Sequence, residues 1–328
     1  MAPHGGSDEP SAAWHTYRLF GLSLASDVPF VTPLPPTQCP SDLSYTCQPE
    51  PPGGPHWTEQ TPERSVPLLT PDGRAALSVS RSSAGHMLRF GPIADFYLCS
   101  RHIVCHLRQP TRAALAETYL LGQVLAFWQE SRGITVLHAS SVVVAGQAIA
   151  FLGYGLSGKS SLAASFLQAG HPLLSDDNLH LHLAEGKVTA QPGYPQMRLW
   201  DEPAHHFLGS CQGLAPVHDT YPKRRVVVGE GGLGTFCSQE CPLAALYLLQ
   251  RSDRLDVEIT RLTPARALFA LACQSFTAGY IKALANEGQR LRRLAQLVRS
   301  VPVFRLEYPS GLAHLPAVRE AVTAQLAC

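Results

Sequence analysis

The segment that most constrains this chain is Gly153-Tyr154-Gly155-Leu156-Ser157-Gly158-Lys159-Ser160, which fits the pattern G-x-x-x-x-G-K-[ST]. Ala148 to Leu152 is an apolar run that reads as a buried strand entering this loop. Ser161 to Ala169 then carries Leu162, Ala163, Phe166 and Leu167 at helical spacing, and Gly170 marks the stop. Strand, glycine loop and helix in that order suit anion capture. Glycines let backbone N–H groups turn inward around an anion, and the helix N-terminus adds partial positive charge. Lys159 is then a mobile point charge for β- and γ-phosphate oxygens, and the Ser160 hydroxyl is a Mg²⁺ ligand. The nucleotide-binding set expected here is Gly153, Tyr154, Gly155, Leu156, Ser157, Gly158, Lys159 and Ser160, with Ser161 in the first helical turn.

A second feature follows the loop helix. Pro172 to Leu174 reads as a brief strand, and Ser175-Asp176-Asp177 ends it. Phosphoryl transfer needs a metal held from two sides and a group that takes the proton of the attacking hydroxyl. Adjacent carboxylates at a strand tip point to different sides, so one can face Mg²⁺ while its neighbour accepts that proton. An Asp pair in an ordinary turn is the competing reading.

The rest of the chain divides at about residue 133. Residues 1–13 are small, polar and Pro/Gly-bearing, and are expected to be a disordered tail. Residues 14–133 read as a β-rich N-terminal domain. His15 to Pro29 gives one strand and a turn, and the Pro-rich stretch from Thr32 to Pro67 gives an irregular loop. Ala75–Ser80, His86–Phe90, Phe96–Cys99 and Ile103–Leu107 form a meander, closed by a helix over Thr111–Glu130. Residues 134–328 alternate strands and helices as a mixed α/β domain does. There, Thr135–Val144 and Ala148–Leu152 form a hairpin whose second strand feeds the loop.

Composition narrows the function classes. At 328 residues the chain can bury one large core or two smaller ones. A net charge of +1 provides no broad field for nucleic acid or an anionic membrane, so neither is an expected partner. No apolar run approaches a membrane span, and the N-terminus lacks the layout of a secretion signal, so the cytoplasm is the expected location. Nine scattered cysteines suit reduced thiols, and Cys237/Cys241 has no second matching pair for structural zinc. His180 and His182 share a strand face but lack an obvious third ligand. Ser140 and Ser141 sit in no nucleophile elbow.

The segment LHASSVVVAGQAIAFLGYGLSGKSSLAASFLQAGHPLLSDD resembles the catalytic core of HPr kinase/phosphorylase, whose domain has the phosphoenolpyruvate carboxykinase-like P-loop fold. It is more similar still to the HPr-kinase-related proteins of ribosomal peptide gene clusters, lasso peptide kinases among them. Those open with a phrase like YRLFGLSLASDVPF, present here at residues 17–30. The resemblance implies a mixed-sheet P-loop kinase domain behind a smaller β-rich domain. It also implies Asp176 as catalytic acid/base, Asp177 nearer the metal, and His138 as a nearby polar group that tunes the carboxylate. A satisfied histidine at a strand end is an equal reading of His138.

Departures from the family matter. The acidic and RGxG-like run after the aspartates is missing, and the stretch reads QPGYPQMRLW, which weakens HPr as substrate and the reverse phosphorylase reaction. Arg198 is either a phosphate contact or a surface arginine. Lys223, Arg224 and Arg225 either grip phosphate or a peptide carboxylate, or form a solvated loop. With no NKxD-like guanine signature, ATP is favoured over GTP. The expected function is an ATP- and Mg²⁺-dependent kinase acting on a hydroxyl, with serine on a peptide or small protein as the acceptor. Alternatives are an HPr-type sensor kinase or a non-catalytic nucleotide-binding regulator. A homo-oligomer is compatible with the resemblance.

Overall fold

In the computed structural model, residues 14–53, 61–69, 75–218, 221–274 and 287–327 are described. The tail expected over residues 1–13 lies outside them.

The N-terminal part builds one sheet from eight strands. They are β1 (His15–Leu19), β2 (Leu22–Ser26), β3 (Leu43–Gln48), β4 (Thr61–Leu69), β5 (Ala75–Ser82), β6 (Gly85–Phe90), β7 (Ala94–Leu98) and β8 (His102–Leu107). Their order is β1-β2-β3-β8-β7-β6-β5-β4. Two expectations are corrected. His15 to Pro29 holds a hairpin of two strands, because Phe20 and Gly21 take φ of 52° and 76° and turn the chain back. The Pro-rich stretch contains two strands. Prolines flank β3 without entering it, and Leu43 and Tyr45 alternate into the core. β4 does contain Pro62 and Pro67, and it is the edge strand, where a missing N–H is tolerated.

The expected closing helix is present as one rod, α1, through Ala113–Tyr119, Leu120–Val124 and Leu125–Ser131. Its middle section is a π turn, which periodicity did not announce. Leu120, Val124, Leu125 and Phe127 pack from this helix onto Leu24, Leu88, Phe96 and Ile103 of the sheet.

The remaining strands are β9 (Thr135–Leu137), β10 (Ala139–Val144), β11 (Gln147–Leu152), β12 (Leu173–Ser175), β13 (Leu179–Ala184), β14 (Lys187–Ala190), β15 (Gln196–Trp200), β16 (Pro216–His218), β17 (Tyr221–Val227), β18 (Cys241–Ser252), β19 (Glu258–Arg261) and β20 (Val303–Pro309). Among the described residues, five α-helices accompany them: α2 (Lys159–Gln168), α3 (Asp201–Leu208), α4 (Pro264–Cys273), α5 (Glu287–Ser300) and α6 (Leu315–Leu326).

The main mixed sheet runs β12-β10-β11-β18-β20-β19, and β14-β13-β9 continue it from the start of β18. β11, β18 and β20 are mutually parallel, and β10 is antiparallel to both β11 and β12. Alternation along β11 divides two cores. Ile149 and Phe151 face Leu162, Phe166 and Val318 of α2 and α6. Ala148, Ala150 and Leu152 face Ala267, Leu271 and Leu294 of α4 and α5. The result is a mixed α/β architecture with helices on both faces of the sheet.

Two further details matter for function. The run Thr135–Val144, expected as one strand, breaks at His138. β9 pairs with β13 while β10 pairs with β11 and β12, so the chain must step sideways at this residue. The basic stretch, read either as a phosphate or carboxylate grip or as a solvated loop, is not a loop but strand β17, paired in register with β15 from Gln196↔Val227 to Trp200↔Lys223. No helix of the described residues is long and apolar enough to cross a membrane.

Candidate active site at the Gly153–Ser160 loop

The loop leaves β11 at Gly153 and enters α2 at Lys159. Its curvature depends on Gly158, whose φ of 94° is open to glycine at little cost. A Cβ at Gly158 would also overlap the Arg251 guanidinium and stand 2.9 Å from the Tyr308 hydroxyl. Tyr308 donates to the Ser157 carbonyl at 2.9 Å, pinning the loop from β20. Lys159 is buried and folds back, donating to the carbonyls of Gly153 at 2.8 Å and Tyr154 at 3.2 Å. Burial lowers the pKa of its ammonium, and Asp177 and Asp176 partly offset that.

β12 ends at Ser175, and the two aspartates follow it. One carboxylate oxygen of Asp176 accepts from Ser140 Oγ at 2.6 Å and from Ser160 Oγ at 3.0 Å. The other accepts the Arg198 backbone N–H at 2.8 Å. Asp177 has left-handed backbone, φ 67°, and its side chain turns the other way. Its Oδ2 pairs with Arg198 Nη1 at 2.6 Å, and its Oδ1 lies 3.8 Å from Lys223 Nζ. His138 Nδ1 meets the Asp177 carbonyl at 2.9 Å. Burial would raise the Asp177 pKa, but Lys223, Arg198, His138 and Lys159 outweigh it and hold the carboxyl well below the usual carboxylate range. His138 itself is pushed down by burial, against the pull of Asp177, which favours neutral imidazole.

His138, Lys159, Ser160, Asp177, Arg198, Lys223 and Arg251 are among the residues that line one cleft of about 530 Å³. Of the residues singled out from sequence, Gly155, Leu156, Gly158, Lys159, Ser160 and Ser161 border it, and so do His138 and Asp177. Gly153 and Ser157 form the base of the loop, and the Tyr154 side chain points into solvent at 72% exposure. Asp176 lies behind Ser160 instead of facing the opening. The neighbours Lys223, Arg224 and Arg225 go to three places. Lys223 reaches Asp177, Arg224 pairs with Asp201 at 2.6 Å, and Arg225 donates to Thr118 Oγ1 at 2.7 Å. Arg198, read from sequence as a phosphate contact or a surface arginine, is not a surface arginine: it borders the cleft and pairs with Asp177 and Tyr194.

Three contributors escaped the sequence. Ser140 is unremarkable in VLHASSVVV, yet it supports Asp176 across the sheet. Tyr308 and Arg251 end the strands β20 and β18, and the guanidinium lies 4.3 Å over the Tyr308 ring at the cleft wall. A charged residue closing a long apolar strand was the available signal for Arg251.

The Ser160 hydroxyl and Asp176 carboxylate bring two hard oxygen donors together, the donor set that Mg²⁺ takes alongside phosphate oxygens and water. Among the described residues no group of three or more His, Cys, Asp or Glu could hold a metal by itself. His180 is instead fully buried and stacked on Phe20 at 4.0 Å, and the Cys237 and Cys241 sulfurs stand 3.8 Å apart.

No family model and no curated protein matches the chain. Among solved structures, it is similar to the HPr(Ser) kinase/phosphatase from Coxiella burnetii, at 12% identity over 58% of this chain and 97% of that one, with a TM-score of 0.29. A likeness that distant carries no argument about this chain's chemistry.

Proposed function

We propose that this protein is an ATP-dependent, Mg²⁺-requiring kinase that transfers the γ-phosphoryl group to a hydroxyl, with serine on a peptide or small protein as the acceptor. The observation that carries this reading is the meeting of Ser160 and Asp176 at 3.0 Å, beside Lys159 and Asp177 in one cleft. A glycine loop alone would suit any anion. A loop serine joined to a strand-tip carboxylate, with a second carboxylate facing the opening, suits phosphoryl transfer.

The residues divide the work as follows. Lys159 and the loop amides bind the phosphates and stabilise charge on the transferred group. Ser160 and Asp176 are the pair that would hold Mg²⁺, which when bound neutralises phosphate charge. Asp177 borders the cleft, and its Oδ1, 3.8 Å from Lys223 Nζ, is the oxygen placed to orient the acceptor's hydroxyl and take its proton. Contact geometry thus favours the opposite division of the aspartates from the one the family resemblance implies. His138 fixes the Asp177 backbone through its carbonyl. Arg251, beside Gly158, is a second cation for the nucleotide.

The test is incubation with γ-labelled ATP, Mg²⁺ and serine-containing peptides, comparing the wild type with Lys159→Ala and Asp177→Asn. Label transferred to serine by the wild type alone supports the proposal. Transfer that survives intact in both variants removes these residues from the reaction.

A further inference from the structure

Asp177 and its successor are held by the N-terminal sheet's own helix. Asn178 is 1% exposed, and its Nδ2 donates to the carbonyls of Leu121 and Gly122, each at 3.2 Å. Those carbonyls belong to the π turn Leu120–Val124 of α1. A π turn interrupts the regular i→i−4 ladder and leaves carbonyls pointing outward with room for another partner. Here two of them converge on one side-chain amide. The same residue is tied twice more: its N–H reaches the Asp176 carbonyl at 2.9 Å, and its carbonyl accepts from Ser175 Oγ.

Asp177 lies between these ties with φ of 67°, a left-handed region that a residue with a Cβ rarely adopts unaided. Something must hold it there. His138 grips its carbonyl from the β9–β10 step, and Asn178 grips the next peptide from α1. A second strut comes from the same helix. Arg225, directly across the ladder from Arg198, donates to Thr118 Oγ1 at 2.7 Å and the Ala114 carbonyl at 2.9 Å. Arg198 in turn holds the Asp177 carboxylate. Helix α1 therefore approaches the acidic tip by two routes, one through Asn178 and one through Arg225 on β17.

We propose that Asn178 is a positioning residue: through it, the π turn of α1 fixes the left-handed backbone of Asp177 and so aims its carboxylate at the cleft. This rests on the kinase reading above, and it assigns the N-terminal sheet and helix a part in the reaction. Asn178 touches no reacting atom. Its effect is on the orientation of Asp177, where a misplacement of about 1 Å costs on the order of 100-fold in rate.

The experiment compares wild type, Asn178→Leu, Asn178→Ala and Ile103→Val by three measurements: kcat for Mg·ATP turnover, ATP affinity, and amide hydrogen exchange over residues 173–180. Leu keeps the number and branching of Asn's side-chain heavy atoms and removes its donor, and Ala removes the donor without adding bulk. Ile103→Val removes one core methyl beneath α1 and serves as a control for lost stability. The expected result for Asn178→Leu and Asn178→Ala is a fall in kcat of tenfold or more, ATP affinity within twofold of wild type, and faster exchange at 173–180. Ile103→Val lowers Tm and leaves kcat and that exchange unchanged. Wild-type kcat and exchange in Asn178→Leu would overturn the proposal, as would an equal kcat loss in Ile103→Val. Should the wild type not turn over ATP, the kinase reading fails separately, and unaltered exchange at 173–180 in Asn178→Leu then sinks the clamp as well.

Discussion

The Ser160 hydroxyl stands 3.0 Å from the Asp176 carboxylate, joining the first turn of α2 to the tip of β12 across β10. Neither residue is near the other in sequence. The contact exists because β10 lies between β11 and β12, and Ser140 on it fills the gap at 2.6 Å. If this pair is the metal-binding pair, Ser160→Ala and Asp176→Asn will each remove the Mg²⁺ enhancement of ATP binding while metal-free binding changes little. Titrations of a fluorescent ATP analogue with and without Mg²⁺ measure this, and an undiminished enhancement in both variants refutes it.

Asp177→Asn should behave differently. Removing the ionised carboxylate that borders the cleft takes away a proton acceptor, for a kcat loss of about 10²- to 10⁴-fold. Loss of a negative charge beside the phosphates leaves ATP affinity equal or tighter. Steady-state kinetics with separate nucleotide binding distinguish this from the Asp176 effect.

Arg251→Ala should weaken ATP binding by about tenfold, the scale of one charge-assisted contact. Arg251→Lys should recover only part, since an ammonium cannot lie flat on the Tyr308 ring as the guanidinium does. Calorimetry on the three proteins gives the order.

His180 makes stability fall in acid. An ordinary imidazole titrates near 6.5, and burial, with His182 adding, pushes His180 down to about 3. Between those values the unfolded chain binds a proton that the folded chain does not. Stability is therefore complete above about 6.5 and declines by roughly 1.4 kcal/mol per pH unit as pH drops through that window. Among the described residues neither ring nitrogen has a hydrogen-bond partner, so His180→Leu should leave stability at pH 7 intact and flatten the acid limb. Urea melts from pH 7 to pH 4 test both halves.

Glu130 is fully buried between Arg290 at 3.2 Å and Arg293 at 3.1 Å, and it also accepts the Val136 N–H at 2.9 Å. Glu130→Ala strands a buried guanidinium, which costs roughly 3–5 kcal/mol. A large fall in the denaturation midpoint is expected; a change within about 0.5 kcal/mol, ordinary for a surface site, would mean the pair is not held as seen.

Local signals carried far into this molecule. The glycine loop, its strand and helix, the aspartates at a strand tip and the hairpin before the loop were all legible, because each is set by neighbours within about ten residues. The short strands β3 and β4 were not legible, since proline density hid them. A proline is disqualifying only inside a paired strand, and only the sheet shows that β3 is flanked by prolines and β4 is an edge. The partners of the acids were equally hidden. Ser140 and Asn178 reach Asp176 or the π turn through sheet order and helix packing, and nothing in their own surroundings marks them; Arg198 and Lys223 stood out as cations, but their convergence on Asp177 did not.

By itself, the amino-acid sequence determined that a glycine loop would join a strand to a helix and that two carboxylates would follow that helix on a strand end. Tertiary structure alone decided which carboxylate meets the loop serine and which faces the cleft. The reason is physical: backbone turns are chosen by local sterics, whereas the direction of a charged side chain is chosen by whichever distant groups the fold brings within a few ångströms of it.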